Sequence, residues 1–192
     1  MRFIRKEWDE LLEALQSGKF LEWLKEKIYK LFDYKEGLRG IYLKKWASKF
    51  EKYFHLHFDG EFLIKKKNGV SRLQGAGGHN YLVKDKNIKI RKYLTEPIDD
   101  KPFDTLISVR YKNGQWIEKA SKSSMFPKNW DITRVKEEIV FVYEEMIKSG
   151  KQFHPKSTNR YYISMNSEKT FKIKIEFDEL GNITNAYPWL KN

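Results

Sequence analysis

The hexapeptide Gly75–Asn80 places His79 beside three glycines. Glycine lets a backbone approach a ligand closely and present its N–H groups to an anion. Histidine takes up or releases a proton near neutral pH, because its ordinary pKa is about 6.5. In a chain with a formal net charge of +12, this combination predicts proton transfer on an anionic substrate such as a phosphodiester. The alternative interpretation is a glycine-rich turn that carries a histidine by chance.

Two further histidines, His55 and His57, are two residues apart and would face the same way on a strand. With His79 they would offer three imidazoles to a metal, although no carboxylate motif accompanies them. A second chemistry needs no metal. One imidazole removes the proton of a ribose 2′-hydroxyl, another protonates the departing 5′-oxygen, and a cation stabilises the charge that develops on the phosphate. We expect this second chemistry, with no cofactor and no metal.

The composition favours one folded domain, or one domain with an accessory segment, since 192 residues of which 40% are hydrophobic can build a packed core. No stretch approaches the roughly 18–20 apolar residues of a membrane span, and the first residues lack the apolar run of a signal peptide. The chain has no cysteine, which excludes a disulfide scaffold and a thiolate metal site. Because the sequence has no such apolar stretch, we expect no membrane insertion.

The positive charge is spread along the chain and is not gathered in a tail. Tyr, Trp and Phe, which make up 16% of the residues, are interleaved with the lysines. This pattern favours a folded surface for polyanions, with nucleic acid as the first partner and an anionic membrane surface as the second. A lysine-rich exterior that only contacts water is the third interpretation.

Apolar residues recur at helical spacing through residues 3–54, with interruptions at Ser17-Gly18 and around Gly37 and Gly40. From about residue 57 the period changes towards two, and the segment Lys65–Gly69 is typical of a hairpin tip. We predict an α+β fold in which a helical N-terminal portion, residues 1–54, packs on antiparallel sheets formed by residues 55–192.

Three local patterns define the second half of the chain. Asn113-Gly114 predicts a hairpin with a type I′ turn. Apolar residues spaced from Ile132 to Met146 predict a helix that is capped by Asp131 and ends at Ser149-Gly150. Apolar and charged residues alternate over 171–177, which predicts a half-buried strand followed by a turn and a last strand, Ile183–Tyr187.

Four segments together resemble the EndoU-like endoribonucleases, and most closely the bacterial toxin-associated branch. Two of them carry histidines: His57–Glu61, and Gly77–Asn80. The third, Lys119–Pro127, has the family's Lys-x-x-x-Ser block and leads through Asn129-Trp130-Asp131 into a helix. The fourth, Ile183–Pro188, is similar to the closing strand with its Tyr-Pro pair. The resemblance covers roughly residues 55–190 and implies that residues 55–192 are a catalytic domain.

The resemblance implies cleavage of RNA, preferentially at uridylates, with a 2′,3′-cyclic phosphate as product. His79 would be the base, His57 the acid and Lys119 the group that stabilises the transition state. The residues that would position the nucleotide are Ser123, Thr184 and Tyr187. Because the first histidine is shifted relative to the family's spacing, His55 stays an alternative to His57. Lys122 likewise stays an alternative to Lys119, and Ser124 to Ser123.

We predict a bacterial toxin or effector domain that acts on RNA, with tRNA as one candidate substrate. It would act in a cytoplasm, which a toxin would reach after export. An acidic inhibitor or immunity protein is the partner that the family implies. Two hypotheses from other classes stay open. One is a non-catalytic nucleic-acid-binding module of the same fold, and the other is a membrane-surface or structural domain built on the N-terminal helices.

Overall fold

The computed structural model describes residues 10–13, 15–52, 54–67, 69–150 and 160–190. The chain divides into two compact units, Met1–Ile41 and Tyr42–Asn192. Within these ranges the helices, three antiparallel sheets and their connections confirm the predicted α+β class. The functional boundary predicted at residue 54 stays a prediction. None of the helices in the described ranges combines the length and apolar character that a membrane span requires.

The described residues of the first unit are helical apart from residues 17–19. A helical segment over residues 10–16, of which residue 14 is not described, ends at the turn Ser17-Gly18, as predicted. Helix α1 then runs from Phe20 to Trp46. The interruption predicted around Gly37 and Gly40 is wrong, because the helix continues through both glycines. Residues 3–9 and Tyr53, which the same prediction included, lie outside the described residues.

Helix α2, Phe54–Asp59, replaces the strand expected for His55 and His57. Phe54 and Phe58, one helical turn apart, are both fully buried, and their rings stack with centroids 5.2 Å apart. Residues two apart on a helix point in different directions, so the expected common orientation of His55 and His57 is wrong. The alternating pattern begins only at Glu61, where strand β1 starts.

Two of the sheets lie in the middle of the chain. The first is a hairpin of β1, Glu61–Lys67, and β2, Val70–Ala76, which confirms the tip predicted at 65–69. The second sheet has the order β3-β4-β5, and β6 also pairs with β4. Its strands are β3 Ile88–Tyr93, β4 Phe103–Arg110, β5 Trp116–Glu118 and β6 Ser123–Met125. Its apolar side chains form a core of five fully buried residues: Ile88, Phe103, Ile107, Val109 and Met125.

The hairpin predicted at Asn113-Gly114 forms between β4 and β5, but its turn is not type I′. That turn needs a positive φ at both central residues, and of the two only Gly114 has one, at 85°. The Gly114 N–H donates to the Tyr111 carbonyl, and the Tyr111 N–H donates to the Gln115 carbonyl. The chain therefore makes a longer turn with glycine in the left-handed conformation.

Helix α3, Ile132–Lys148, packs on the third sheet. Asp131 accepts a hydrogen bond from the Arg134 N–H at 2.7 Å, which confirms the predicted cap, and the helix ends at Ser149-Gly150 as predicted. The sheet has the order β7-β8-β9, with β7 Tyr161–Met165, β8 Lys172–Phe177 and β9 Ile183–Pro188. Both strands predicted at the end of the chain are confirmed. The apolar residues of β8, Ile173, Ile175 and Phe177, are buried in the core shared with α3.

Candidate active site

The glycine-rich loop lies directly on the end of helix α2 through main-chain contacts. The Gly78 N–H donates to the His57 carbonyl at 3.0 Å, and the His79 N–H donates to the Phe58 carbonyl at 2.8 Å. At Gly77 φ is +60°, and a Cβ there would stand 1.6 Å from the His57 carbonyl oxygen. Only glycine permits this approach. The loop sequence thereby brings two histidines that are 22 positions apart into one site.

His79 is 5% exposed and held in one tautomer. Its Nδ1 is 2.7 Å from the Ser124 carbonyl oxygen, which can only accept, so Nδ1 carries the proton. Burial lowers the pKa of His79 well below 6.5, and the Lys119 ammonium and His57 lower it further, against the opposing effect of the Ser124 hydrogen bond. The ring is therefore neutral at pH 7, and Nε2 keeps a free lone pair.

His57 lines the same cavity in a more exposed setting. Its Nδ1 is 2.5 Å from a carboxylate oxygen of Glu61, and 29% of its side chain is exposed. Because the carboxylate accepts, Nδ1 carries the proton here as well, and the ring orientation is fixed by an acid four residues ahead. The alternative, His55, is exposed and lines neither of the cavities described below.

Lys119 is 7% exposed and supports the glycine-rich loop from within. Its Nζ donates to the Gly77 carbonyl at 2.7 Å and to the Ser123 hydroxyl at 3.0 Å. Burial lowers the pKa of Lys119 from 10.5 to about 8. The ammonium keeps its charge at pH 7, and two of its three N–H groups have protein acceptors, which leaves the third for an anion.

Ser123 is fully buried and does not line the cavity. Its hydroxyl donates to the Gly78 carbonyl at 2.6 Å. In this geometry the Ser123 hydroxyl holds the loop, whereas its neighbour Ser124 lines the cavity. Ser124 donates to Asp104 at 2.6 Å, and Lys122 pairs with the same carboxylate at 2.5 Å. Asp104 thus holds the segment whose carbonyl fixes the tautomer of His79.

Strand β9 supplies a further wall of the cavity. The Tyr187 ring stacks on His79 with centroids 4.9 Å apart and planes 18° apart. Asn185, two residues earlier, lies on the same face of the strand and also lines the cavity. Thr184 lines a second cavity of about 270 Å³, and its hydroxyl donates a hydrogen bond to the Glu176 carbonyl. The structure therefore brings Tyr187 to the first cavity, Thr184 to the second, and Asn185 to both.

Glu176, on the neighbouring strand, fixes two of these residues with its two carboxylate oxygens. It accepts from the Tyr187 hydroxyl at 3.0 Å and from the Asn185 amide at 3.0 Å. Burial opposes its ionisation, but hydrogen bonds from Lys174 and Asn185 outweigh burial and lower the pKa of the carboxyl group. The tyrosine hydroxyl is thereby anchored to a permanent charge, which holds the ring against His79.

These walls enclose a cavity of about 620 Å³, within the usual range for a small-molecule site. Its described lining contains two imidazoles and three ammonium groups, and no carboxylate. The second cavity has the opposite character, because its lining includes Glu51, Glu61 and Glu176. In the described part of the chain, no group of three or more His, Asp or Glu side chains has the geometry of a metal site. The first cavity suits an anion.

Sequence reasoning overlooked Glu61, Asn185 and Glu176. Asn185 could have been found from the sequence, because side chains alternate along the last strand. This alternation places Asn185 on the same face as Tyr187, and Thr184 on the opposite face. Glu61 could also have been found, because it is an acidic residue only four positions after His57. No local pattern marks Glu176 as a site residue, because the two cavity residues that it holds, Asn185 and Tyr187, come from another strand.

A family model described as a bacterial EndoU nuclease matches residues 51–190. The match confirms the resemblance predicted from the four segments, and it begins four residues earlier in the chain than that resemblance. No curated protein and no solved structure gives a significant match to the chain.

Proposed function

The chain belongs to the bacterial EndoU nuclease family, and from that premise we propose that it is a metal-independent endoribonuclease. It would cleave RNA, preferentially at uridylates, and leave a 2′,3′-cyclic phosphate. The observation that carries the proposal is the state of His79. A buried, neutral imidazole with its proton on Nδ1 offers Nε2 as a base, in a cavity that also contains His57 and Lys119.

The proposed reaction needs two proton transfers and one new bond. His79 Nε2 takes the proton of the ribose 2′-hydroxyl, and the 2′-oxygen attacks the adjacent phosphorus. The bond from phosphorus to the 5′-oxygen breaks, and His57 gives that oxygen a proton. The products are a cyclic phosphate and a free 5′-hydroxyl. The nucleophile comes from the substrate, so no metal-bound water is required.

Lys119 would stabilise the charge on the non-bridging oxygens, because its ammonium is held without reorganisation by the Gly77 carbonyl and Ser123. Tyr187, stacked on His79 and anchored by Glu176, would position the nucleotide. Asn185 and Ser124 would complete this subsite, since both line the cavity. Ser123 would act through the loop, and Thr184 would act from the second cavity.

The decisive experiment is incubation of purified protein with uridine-containing RNA in the presence of EDTA. Wild-type protein should cut the RNA and leave cyclic phosphate ends, and His79→Ala should lose about a hundredfold to ten-thousandfold in kcat, the usual contribution of a general base. Loss of cleavage on chelation would refute metal independence. A gel shift without product after long incubation would instead support a binding module without turnover.

A toxin role and an acidic inhibitor as partner rest on the family resemblance and on the net charge of +12. Expression of the wild-type chain in a bacterial cytoplasm should stop growth, whereas the His79→Ala chain at equal abundance should not. If the two cultures grow equally and active enzyme is recovered from the first, the toxin role is contradicted while the nuclease activity is supported.

A further inference from the structure

The hairpin of β1 and β2 presents one of its two faces to the active-site cavity. In its register Leu63 pairs with Gln74, and Lys65 pairs with Arg72. Directly opposed residues, and residues two apart on one strand, share a face of a hairpin. Leu63, Gln74 and Lys65 all line the cavity, so Arg72 belongs to the same face. This face extends the cavity outward along the hairpin.

The other face is anchored to the second sheet near the base of the hairpin. Phe62 points away from Leu63, and its ring meets the Tyr111 ring edge-on with centroids 4.5 Å apart. Gly75, opposite Phe62, lies against the Val109 side chain and the Lys119 backbone. These contacts fix which way the hairpin faces.

Lys65 and Arg72 form a pair of like charges that the hairpin does not neutralise. Like charges directly opposite each other destabilise an antiparallel pair. No described carboxylate makes an ion pair with either side chain, whereas Lys122, in the same cavity, pairs with Asp104. An arrangement that is unfavourable in the free protein becomes favourable when an anion lies between the two cations.

We propose that Lys65 and Arg72 form a subsite for a backbone phosphate of RNA outside the scissile dinucleotide. The pair is four residues along the strands from Glu61 and Ala76, which is about 13 Å at the rise of an extended strand. The pair therefore lies toward the outer end of the cavity face of the hairpin, in the direction that an RNA strand longer than a dinucleotide would follow. This inference rests on the proposed function and adds that the substrate is a single-stranded oligonucleotide that extends along the hairpin.

The test compares a uridine-containing dinucleotide with a longer single-stranded RNA, using the full chain. In the double variant Lys65→Ala/Arg72→Ala, KM for the longer RNA should rise about tenfold, or about 1.4 kcal/mol. Its kcat should not change, and KM for the dinucleotide should rise much less than KM for the longer RNA, because the dinucleotide has no phosphate beyond the scissile one. Lys66→Ala is the matched control, because Lys66 lies on the opposite face of the same strand and pairs with Ser71.

Salt dependence gives a readout that does not require cleavage. With His79→Ala as the background, binding of the longer RNA is measured by fluorescence anisotropy at several salt concentrations. In the Lys65→Ala/Arg72→Ala variant the slope of log K against log salt concentration should be smaller by about 0.7, because the proposed subsite holds one phosphate and each phosphate contact on a single strand contributes about 0.7. An unchanged slope, or an equal rise in KM for both substrates, would overturn the subsite. If the wild type cleaves neither RNA but the double variant still shows the smaller salt slope, the proposed nuclease function is contradicted and the phosphate subsite is supported.

Discussion

His79 and Lys119 are almost completely buried, whereas His57, in the same cavity, stays partly exposed beside an equally exposed Glu61. We call His79, Lys119 and Ser123 the buried wall, and His57 with the cavity face of the hairpin the exposed wall. On the buried wall, His79 Nδ1, Lys119 Nζ and the Ser123 hydroxyl are held by the loop or by the segment that leads to α3. On the exposed wall, Glu61 orients His57, and Lys65 has no described acidic partner.

This contrast indicates a division of roles between the two walls. Burial lowers the pKa of His79 and that of Lys119, the two titratable groups on the buried wall. Such tuning costs stability, because a charged ammonium is held out of water. The exposed wall contacts solvent, where a long substrate can arrive and a product can leave. Experiments that separate stability from activity test this division directly.

The largest expected effect is that of Lys119→Met. Without the ammonium, kcat should fall about a hundredfold to a thousandfold, while stability at pH 7 should increase. A pKa lowered from 10.5 to about 8 corresponds to a cost of at most about 3 kcal/mol while the lysine is charged. Because the unfolded chain binds this proton more tightly, wild-type stability should rise between about pH 8 and 10.5. That rise should be absent from the variant.

Urea unfolding at several pH values, paired with RNA cleavage, measures both quantities. Lys122→Met is the matched control, since Lys122 is half exposed and pairs with Asp104; it should change neither stability nor rate by much. A Lys119→Met protein that is less stable than wild type would contradict the cost assigned to burial.

A smaller effect is expected for His57→Ala. Loss of a general acid should lower kcat about a hundredfold, but the unfolding midpoint should stay near the wild-type value, because the side chain is partly exposed and lines two cavities. His55→Ala, two residues away and outside the cavity, should behave as wild type in both assays. If His57→Ala and His55→Ala lose equal activity, His57 is not the general acid.

The smallest effect is a change of rate with pH. His79 should stay neutral well below pH 6.5, so activity should persist on the acid side. On the alkaline side the rate should fall no later than about pH 8, where Lys119 loses its charge. Measurement of kcat/KM for the dinucleotide across this range tests both limits. A rate that keeps rising above pH 8 would show that the ammonium is not needed.

The elements predicted correctly from the sequence were those with local signals. Asp131 caps α3 through its own side chain, and the alternation over 171–177 depends only on neighbouring residues. Helix α2 was missed because it has only six residues, although the spacing of Phe54 and Phe58 indicated it. The type of turn at Gly114 was missed because it depends on the strand register.

The candidate site was predictable in its residue types and not in its geometry. The glycines around His79 marked the loop, and the family resemblance selected His57, Lys119 and Tyr187. The burial of Lys119 depends on the Gly77 carbonyl, 42 positions away, so no local pattern separates Lys119 from Lys122. The same holds for Ser123 and Ser124, which are adjacent in sequence but point to different surroundings.

The contact between Gly77 and the end of α2 has an evolutionary consequence. Since the loop meets α2 through main-chain atoms, side chains that line the cavity without holding the loop are free to diverge without disturbing the contact. Leu63, Gln74 and Trp189 line the cavity but take no part in that contact. We therefore expect mutation at these three positions to change which nucleotides the cavity accepts while the contact itself is kept.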